Sequence, residues 1–171
     1  GMSDNYESAT VRSMNMAVQY LDFGFTSLES EALQLYVDKN LSKYVLGLNK
    51  QSEILTLIST TNTNLTAKQV ANEFIQGMHL LTKPNVKNIS TVMAGDGDTG
   101  VFDEWMKTEE GSRLLGLTNG VWVGEHAELD KLMGVNKEKY ACSYLRIYSN
   151  QAACAVIDLS KEAIEAILHN L

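Results

Sequence analysis

Proline, cysteine and long apolar runs are all scarce in this chain of 171 residues. One proline and two cysteines leave no Pro-rich linker and too few thiols for a disulfide scaffold. No run approaches the roughly 18 apolar residues that a membrane-spanning helix needs. Residues 2–7 lack the basic and apolar regions of a secretory signal. We therefore expect a soluble cytoplasmic protein with one globular domain over residues 2–171, Gly1 being the remnant of a tag.

Clusters of positive charge are also missing. The chain has 14 Lys and Arg residues against 21 Asp and Glu, and its pI is near 4.9. Phosphate backbones and anionic lipid headgroups attract basic surfaces, so this composition predicts neither a nucleic acid nor a membrane as partner. A protein partner, including a second copy of the same chain, is the expectation that remains.

The acidic residues are concentrated in one stretch. Residues 96–130 contain nine of them and only two basic residues, which gives this stretch the whole net charge of −7. Both tryptophans and one of the three histidines lie in the same stretch. Aromatic side chains rimmed by charge are typical of protein interaction surfaces. The sequence therefore predicts a binding surface formed by Trp105, Glu109, Glu110, Trp122 and His126. The other interpretation of the same pattern is a solvated acidic face with Trp105 packed in the core.

A glycine-rich run, Asp96-Gly97-Asp98-Thr99-Gly100, opens this acidic stretch. The five residues resemble the aspartate-rich metal loop of the dihydroxyacetone-kinase and fatty-acid-kinase ATP-binding domains, where such aspartates hold magnesium ions against nucleotide phosphates. That resemblance implies a divalent cation, such as magnesium, on Asp96 and Asp98, and the nearby Asp103 or His126 is a candidate further ligand. A regular EF-hand is excluded, because Val101 and Lys107 stand where that loop needs glycine and glutamate. The other interpretation is a turn that leads into a helix.

His126 is the candidate for acid–base chemistry, because it lies between Glu125 and Glu128. A nearby carboxylate favours the imidazolium and raises the pKa of a histidine. No pair among His79, His126 and His169 has the spacing of two zinc ligands on one helix face. Nucleophile-elbow and P-loop motifs are also missing. The sequence therefore names no reaction.

Hydrophobic periodicity predicts an α+β fold, with a helical N-terminal half packed on a small, mostly antiparallel C-terminal sheet. The apolar residues Val11, Met14, Val18, Leu21 and Phe25 lie along one helix stripe. We expect a second helix to begin at Thr26, a polar loop at 59–64, and a further helix from Thr66 to Pro84. The pattern also predicts a strand at 86–93 and a single helix over 101–115.

The C-terminal third has the pattern of strands and a closing helix. Residues 121–123, 140–148 and 152–157 are strand-like, and the continuous apolar run of the last predicts a buried central strand. A short helix is expected over 125–133, and Ser160 is expected to cap a helix over 161–170. A two-residue turn at Ser149-Asn150 would place Cys142 opposite Ile157, with the two cysteines on opposite faces of the sheet.

Two functions from different classes fit these features. One is a non-catalytic interaction or regulatory protein that uses the acidic, tryptophan-containing surface around residues 96–130. The alternative is a divalent-metal-dependent enzyme or sensor with its cation site in the Asp96–Gly100 loop.

Overall fold

The computed structural model describes residues 1–93 and 99–171. It confirms the α+β class, with helices first and an antiparallel sheet after them. In chain order the elements are α1 (Met2–Val37), α2 (Lys39–Val45), α3 (Gln51–Ala71), β1 (Ile75–Thr82), β2 (Ile89–Ser90), α4 (Val101–Lys107), α5 (Glu109–Ser112), β3 (Val121–Val123), α6 (Ala127–Met133), a 3₁₀ turn (Lys137–Lys139), β4 (Tyr140–Ile147), β5 (Ala153–Ser160) and α7 (Lys161–His169).

The five strands form one sheet in the order β2-β1-β5-β4-β3, and each neighbouring pair is antiparallel. β5 lies in the centre and all eight of its residues are buried. This placement explains its continuous apolar sequence, because a strand covered on both faces needs apolar side chains on both. The prediction of a buried central strand is confirmed. β3 lies at one edge and pairs with β4.

Helices cover both faces of this sheet. Alternate residues of β5, such as Ala155 and Ile157, join the core cluster beneath α1, α2 and α3. The residues between them, Cys154 and Val156, join a second cluster beneath α4 and α6. α7 packs on the first side through Ala163, Ile164 and Ile167, and the Ser160 hydroxyl caps it by accepting from the Ala163 backbone N–H, as predicted.

The N-terminal helices are longer than the sequence pattern predicted. α1 continues through Thr26 without a break, because its apolar stripe continues at the same spacing through Leu28, Ala32 and Leu35, which are buried. α3 includes the predicted polar loop at 59–64. There the Asn62 side chain donates to the Ser90 carbonyl, so its amide bonds the sheet rather than breaking the helix.

Two predictions around Pro84 were wrong. β1 occupies residues that were expected to continue a helix, because both faces of this strand are buried and its apolar run mimics helical spacing. The predicted strand at 86–93 shortens to the two residues of β2. Strands at 121–123 and 140–147 and a helix at 127–133 are confirmed within the expected stretches.

The helix expected over 101–115 divides at Thr108. The Thr108 hydroxyl donates to the Trp105 carbonyl and accepts from the Gly111 N–H, so one residue ends α4 and caps α5. Gly116 follows with a φ of +89°, the left-handed conformation that glycine accepts most readily.

The hairpin between β4 and β5 has a longer connection than predicted. Cys142 lies opposite Leu159 rather than Ile157, because Tyr148 still bonds Ala153 across a loop at 149–152. The shift is by two residues, so each side chain keeps its face. Cys142 and Cys154 are free thiols on opposite faces of the sheet, as predicted. Within residues 1–93 and 99–171, none of the helices has the length and apolar character to cross a membrane.

Candidate functional site

A buried carboxylate in the central strand organises the polar interior of the protein. Asp158 of β5 is 1% exposed. Its Oδ1 accepts from His126 Nε2 at 2.7 Å and from the Ser143 hydroxyl at 2.5 Å. Its Oδ2 lies 3.3 Å from Nε2 of His79. We call this group and its neighbours, His79, His126, Asp130, Tyr140, Ser143 and Asp158, the buried polar cluster.

His126 joins this carboxylate to a second one. Its Nδ1 lies 2.8 Å from Asp130 Oδ1, one helical turn further along the chain. Tyr140 stacks on the imidazole with 4.6 Å between ring centroids. The Tyr140 hydroxyl accepts from the His126 backbone N–H and donates to Asp130 Oδ2 at 2.7 Å. Both ring nitrogens of His126 therefore face carboxylates.

Irregularities in two strands bring these side chains together. The register of β4 shifts between Tyr140 and Cys142, so Tyr140 reaches the face that carries Ser143. The register of β1 shifts between Ile75 and Gly77, opposite Leu159 and Asp158. A Cβ on Gly77 would stand 3.3 Å from His79 Nε2 and 2.7 Å from a Val92 methyl, so this close approach favours glycine. β-Bulges of this kind re-aim side chains near functional sites.

Charge within the cluster shifts the pKa of its members. Burial opposes the imidazolium of His126, but the hydrogen bond to Asp158 and the charges of Asp158 and Asp130 raise its pKa above the usual value. Burial also opposes ionisation of Asp158, yet the hydrogen bonds from His126 and His79 hold its pKa far below the usual range. Burial raises the pKa of Asp130. The favoured state is an imidazolium against the ionised Asp158.

The cluster contains the spatial arrangement of a catalytic triad, with Ser143 as the nucleophile, His126 as the base and Asp130 as the orienting acid. The Ser143 hydroxyl lies 3.1 Å from His126 Nε2. However, both Ser143 and His126 are 0% exposed, and the serine donates to Asp158 instead. Both side chains are therefore closed to solvent, and their hydrogen bonds join β4, β5 and the start of α6.

An open cleft lies beside the cluster, between α5, β3 and the start of α6. Its volume is about 810 Å³, and His126 lies at its inner end. Leu114, Val121, Val123 and Leu145 give it an apolar floor, while Glu109, Glu110, Glu125 and Glu128 surround them. We call this feature the acidic cleft. Four of the nine acidic residues of the 96–130 stretch therefore meet at one place.

Glu110 differs from the other glutamates of the cleft because its carboxylate accepts from an indole N–H and from backbone N–H groups of α6, whereas Glu109 and Glu128 pair with the side chains of Arg113 and Lys131. Oε2 accepts from Trp105 Nε1 at 2.7 Å and from the Leu129 N–H at 3.1 Å. Oε1 accepts from the Glu128 N–H at 3.3 Å. Since the first N–H groups of a helix have no partners within it, Glu110 stabilises the start of α6. It connects α5, Trp105 and α6.

The predicted surface residues separate into buried and accessible ones. Trp105 and His126 are both 0% exposed, so their predicted place on a binding surface needs correction. Trp105 lies in the core because its ring fills the second cluster and its N–H is satisfied by Glu110. Trp122 is half-buried on the opposite face, where it contacts Phe25 and Tyr144. Glu109 is exposed and pairs with Arg113 at 2.6 Å.

The predicted metal ligands are only partly described. Asp96 and Asp98 lie outside the described residues. Asp103 is in α4 and pairs with Lys83 at 3.2 Å. Over residues 1–93 and 99–171, no group of three or more His, Cys, Asp or Glu side chains has an arrangement that could hold a metal ion. The magnesium site stays a prediction.

Most of the buried polar cluster could not be found from the sequence. His79 was considered only as a zinc ligand, and no motif pointed to Tyr140, Ser143 or Asp158. One signal was present: Asp158 directly follows the continuous apolar run of β5. A lone carboxylate in a central strand needs buried hydrogen-bond donors as partners. Histidines are suitable donors, and His79 and His126 are the partners in the structure.

No protein-family model, curated protein or solved structure matches this chain.

Proposed function

We propose that this protein is a non-catalytic interaction module that binds a basic segment of a partner protein in the acidic cleft. The observation that carries the proposal is the meeting of four glutamates and an apolar floor in one concave surface. Binding sites of this kind combine apolar contact area with a few polar groups that set orientation.

The charges of the cleft favour a basic partner. Glu109, Glu125 and Glu128 are exposed, so their carboxylates face the solvent from which a ligand would arrive. Among the described residues, Arg113 is the one Lys or Arg that lines the cleft. It pairs with Glu109, and Lys131 Nζ lies 3.6 Å from Glu128 Oε1. The negative potential that remains attracts Lys and Arg side chains and repels acidic ones.

The floor of the cleft favours a segment that also has apolar side chains. Leu114 and Leu145 are buried, while Val121 and Val123 are half-buried and Leu117 is exposed. Val121 and Val123 belong to the edge strand β3. An extended segment that lies along an edge strand gains main-chain hydrogen bonds, while pockets for alternate side chains give specificity. We therefore expect apolar and basic residues to alternate in the ligand.

Binding without catalysis fits the chemistry around the cleft. The serine and histidine nearest to it are fully buried, so the described part of the cleft offers no accessible pair of nucleophile and base. Among the described residues, the glutamates of the cleft do not form a group of three that could hold a metal ion. These features support recognition of a partner rather than turnover of a substrate.

A selection of random short peptides displayed on phage tests this proposal. We expect enrichment of segments in which Lys or Arg flanks an apolar residue, with binding that weakens as salt increases. The triple variant Glu109→Gln, Glu125→Gln and Glu128→Gln should bind the selected peptides about tenfold more weakly or worse. Glu110 is left unchanged because of its structural hydrogen bonds.

A matched control replaces three exposed glutamates elsewhere, Glu53, Glu138 and Glu162, by glutamine. It makes the same change in net charge and should keep the affinity within about twofold of the original chain. Equal losses in the two triple variants would mean that total charge, rather than the cleft, governs binding. Selection of peptides without basic residues would also contradict the proposal.

A further inference from the structure

We propose that the N-terminal half of α1 is a self-association surface, on which α1 of a second copy of this chain packs antiparallel. The proposal concerns a surface separate from the acidic cleft and is independent of what the cleft binds. It depends on the apolar stripe of α1, its exposure, and the place where the body of the protein ceases to cover it.

The stripe of α1 has the spacing of a coiled-coil seam. Apolar residues alternate at intervals of three and four positions at 11, 14, 18, 21, 25, 28, 32 and 35: Val, Met, Val, Leu, Phe, Leu, Ala and Leu. This is a repeat of seven residues, which keeps one face of a helix directed at the same neighbour along its length. The helix therefore presents a single seam from residue 11 to residue 35.

The body of the protein covers only the C-terminal half of that seam. Leu28 and Ala32 are 0% exposed and Leu35 is 5% exposed, because they pack in the core cluster on the sheet. Phe25 contacts Trp122 at 4.9 Å between ring centroids, near the point where coverage ends. Beyond it, Val11, Met14 and Val18 are 56%, 53% and 63% exposed.

The exposed half of the seam is suited to a copy of itself. No charged residue lies between Arg12 and Asp22, so two such segments can meet without bringing charges together. A two-fold pair uses the same patch on both copies, and an apolar seam is complementary to itself. An isolated helix with so many exposed apolar residues gains most of its stability from packing.

The orientation follows from the two ends of the seam. Its next positions toward the N-terminus are Asp4 and Glu7, which would face their own copies in a parallel pair and repel. In each copy the sheet packs on the seam side of α1 near its C-terminal end. A parallel pair would therefore place the two sheets in the same space between the helices. An antiparallel pair that crosses near Met14 avoids both conflicts.

The area available sets the expected strength. Val11, Met14 and Val18 offer roughly 300 Å² per copy, or about 600 Å² in a pair, if each contributes about 100 Å², and the half-buried Leu21 adds a smaller area. Stable complexes bury about 1,200–2,000 Å². We therefore expect a dimer that forms and dissociates with protein concentration rather than a permanent one.

Sedimentation velocity of the full chain over a range of concentrations tests the association. The mass should rise from monomer toward dimer, and Val11→Glu with Val18→Glu should leave a folded monomer at every concentration. Glutamate is a good helix former and both positions are exposed, so the helical signal of the monomer should persist. A monomer at all concentrations for the original chain would overturn the proposal.

The matched control is Met16→Glu with Phe23→Glu. These side chains are 66% and 62% exposed and project from the side of α1 opposite the seam, so the same loss of apolar area should leave the dimer intact. Dissociation by this control with retention of the dimer by the seam variant would place the interface on the other side of the helix and overturn the assignment.

The orientation has its own test. Spin labels on Asn5→Cys, in a chain with Cys142→Ser, should be about 27 Å apart along the axis in an antiparallel pair that crosses at Met14, since each residue of a helix rises about 1.5 Å. A parallel pair would hold the two helices about 10 Å apart at this position. A measured separation near the shorter value would overturn the antiparallel arrangement.

Discussion

His126 and Asp158 form a hydrogen bond of 2.7 Å that fastens the start of α6 to the central strand of the sheet. The two residues are 32 positions apart in the chain and both are shielded from solvent. The wall of the acidic cleft and the interior of the sheet are therefore connected through one pair of charged groups. The first two predictions follow from this pair.

Asp158→Asn should destabilise the protein by about 3–5 kcal/mol, because it removes the fully buried carboxylate that pairs with the His126 imidazolium and leaves only Asp130 beside that ring. Urea unfolding measures the change. Asp103→Asn is the control, since Asp103 makes a solvent-exposed pair with Lys83 and should cost less than about 1 kcal/mol. Equal losses in the two variants would mean that the buried pair adds nothing to stability.

The free energy of unfolding should be greatest between about pH 4 and pH 6.5 and should fall as the pH rises further. The pKa of His126 is raised on folding, so its contribution is complete below about pH 6.5 and is lost as the pH passes the raised value. The pKa of Asp158 is lowered, so its contribution is present above about pH 3.9 and is lost in stronger acid. The raised pKa of Asp130 acts in the opposite direction to that of Asp158, because its contribution is complete below about pH 3.9 and is lost as the pH rises past the raised value.

Urea unfolding at a series of pH values tests this dependence, with His126→Gln as the informative variant. The difference in unfolding free energy between the original chain and His126→Gln should shrink from pH 6 to pH 9. His169→Gln is the control, because His169 is exposed on α7 and should leave the profile unchanged. A difference that grows toward alkaline pH would contradict the assigned charge of His126.

Glu110→Gln should cost about 1–3 kcal/mol of stability, whereas Glu109→Gln should cost less than about 1 kcal/mol. Glu110 accepts from Trp105 and from two backbone N–H groups of α6, and a glutamine has one acceptor oxygen where the glutamate has two. Glu109 makes only an exposed pair with Arg113. Thermal unfolding of the Glu110→Gln and Glu109→Gln variants compares the two positions directly. Equal midpoints would show that Glu110 does not anchor α6.

Gly111→Ala should destabilise the protein by about 1–3 kcal/mol. The added Cβ would overlap the Trp105 backbone carbonyl, which cannot move aside as the end of a side chain can. Gly124→Ala is the matched control, because a Cβ there meets nothing within 4 Å. Unfolding free energies that are unchanged in both variants would indicate that α5 shifts easily against α4.

The sequence predicted the fold class because its strongest signals are local. The apolar run of β5, the cap at Ser160 and the stripe of α1 each depend on neighbouring residues. The secondary-structure predictions were wrong where contacts between distant residues, rather than neighbours in the chain, determine the conformation. Asn62 was expected in a loop because its amide competes for the backbone, but in the fold that amide bonds Ser90 across to β2.

The candidate site was harder to predict for the same reason. The acidic stretch was identified from composition, and four of its glutamates do meet in the cleft. The buried polar cluster joins residues from β1, α6, β4 and β5. No pattern of residue spacing along the chain predicts that these side chains are in contact. The place of Trp105 could not be decided from the sequence, because its amphipathic pattern fits a covered helix face as well as an exposed one.

The hydrogen bonds of the two tryptophans give the chain two internal optical reporters. Trp105 donates to Glu110 beside the cleft, whereas Trp122 donates to Glu29 of α1 at 2.8 Å, close to where the seam emerges from the body. Because indole emission responds to its hydrogen bond and to local polarity, Trp122→Phe would leave Trp105 as the reporter of the proposed binding in the cleft. Trp105→Phe would leave Trp122 as the reporter of the proposed pairing of α1, so each proposal has its own fluorescent variant.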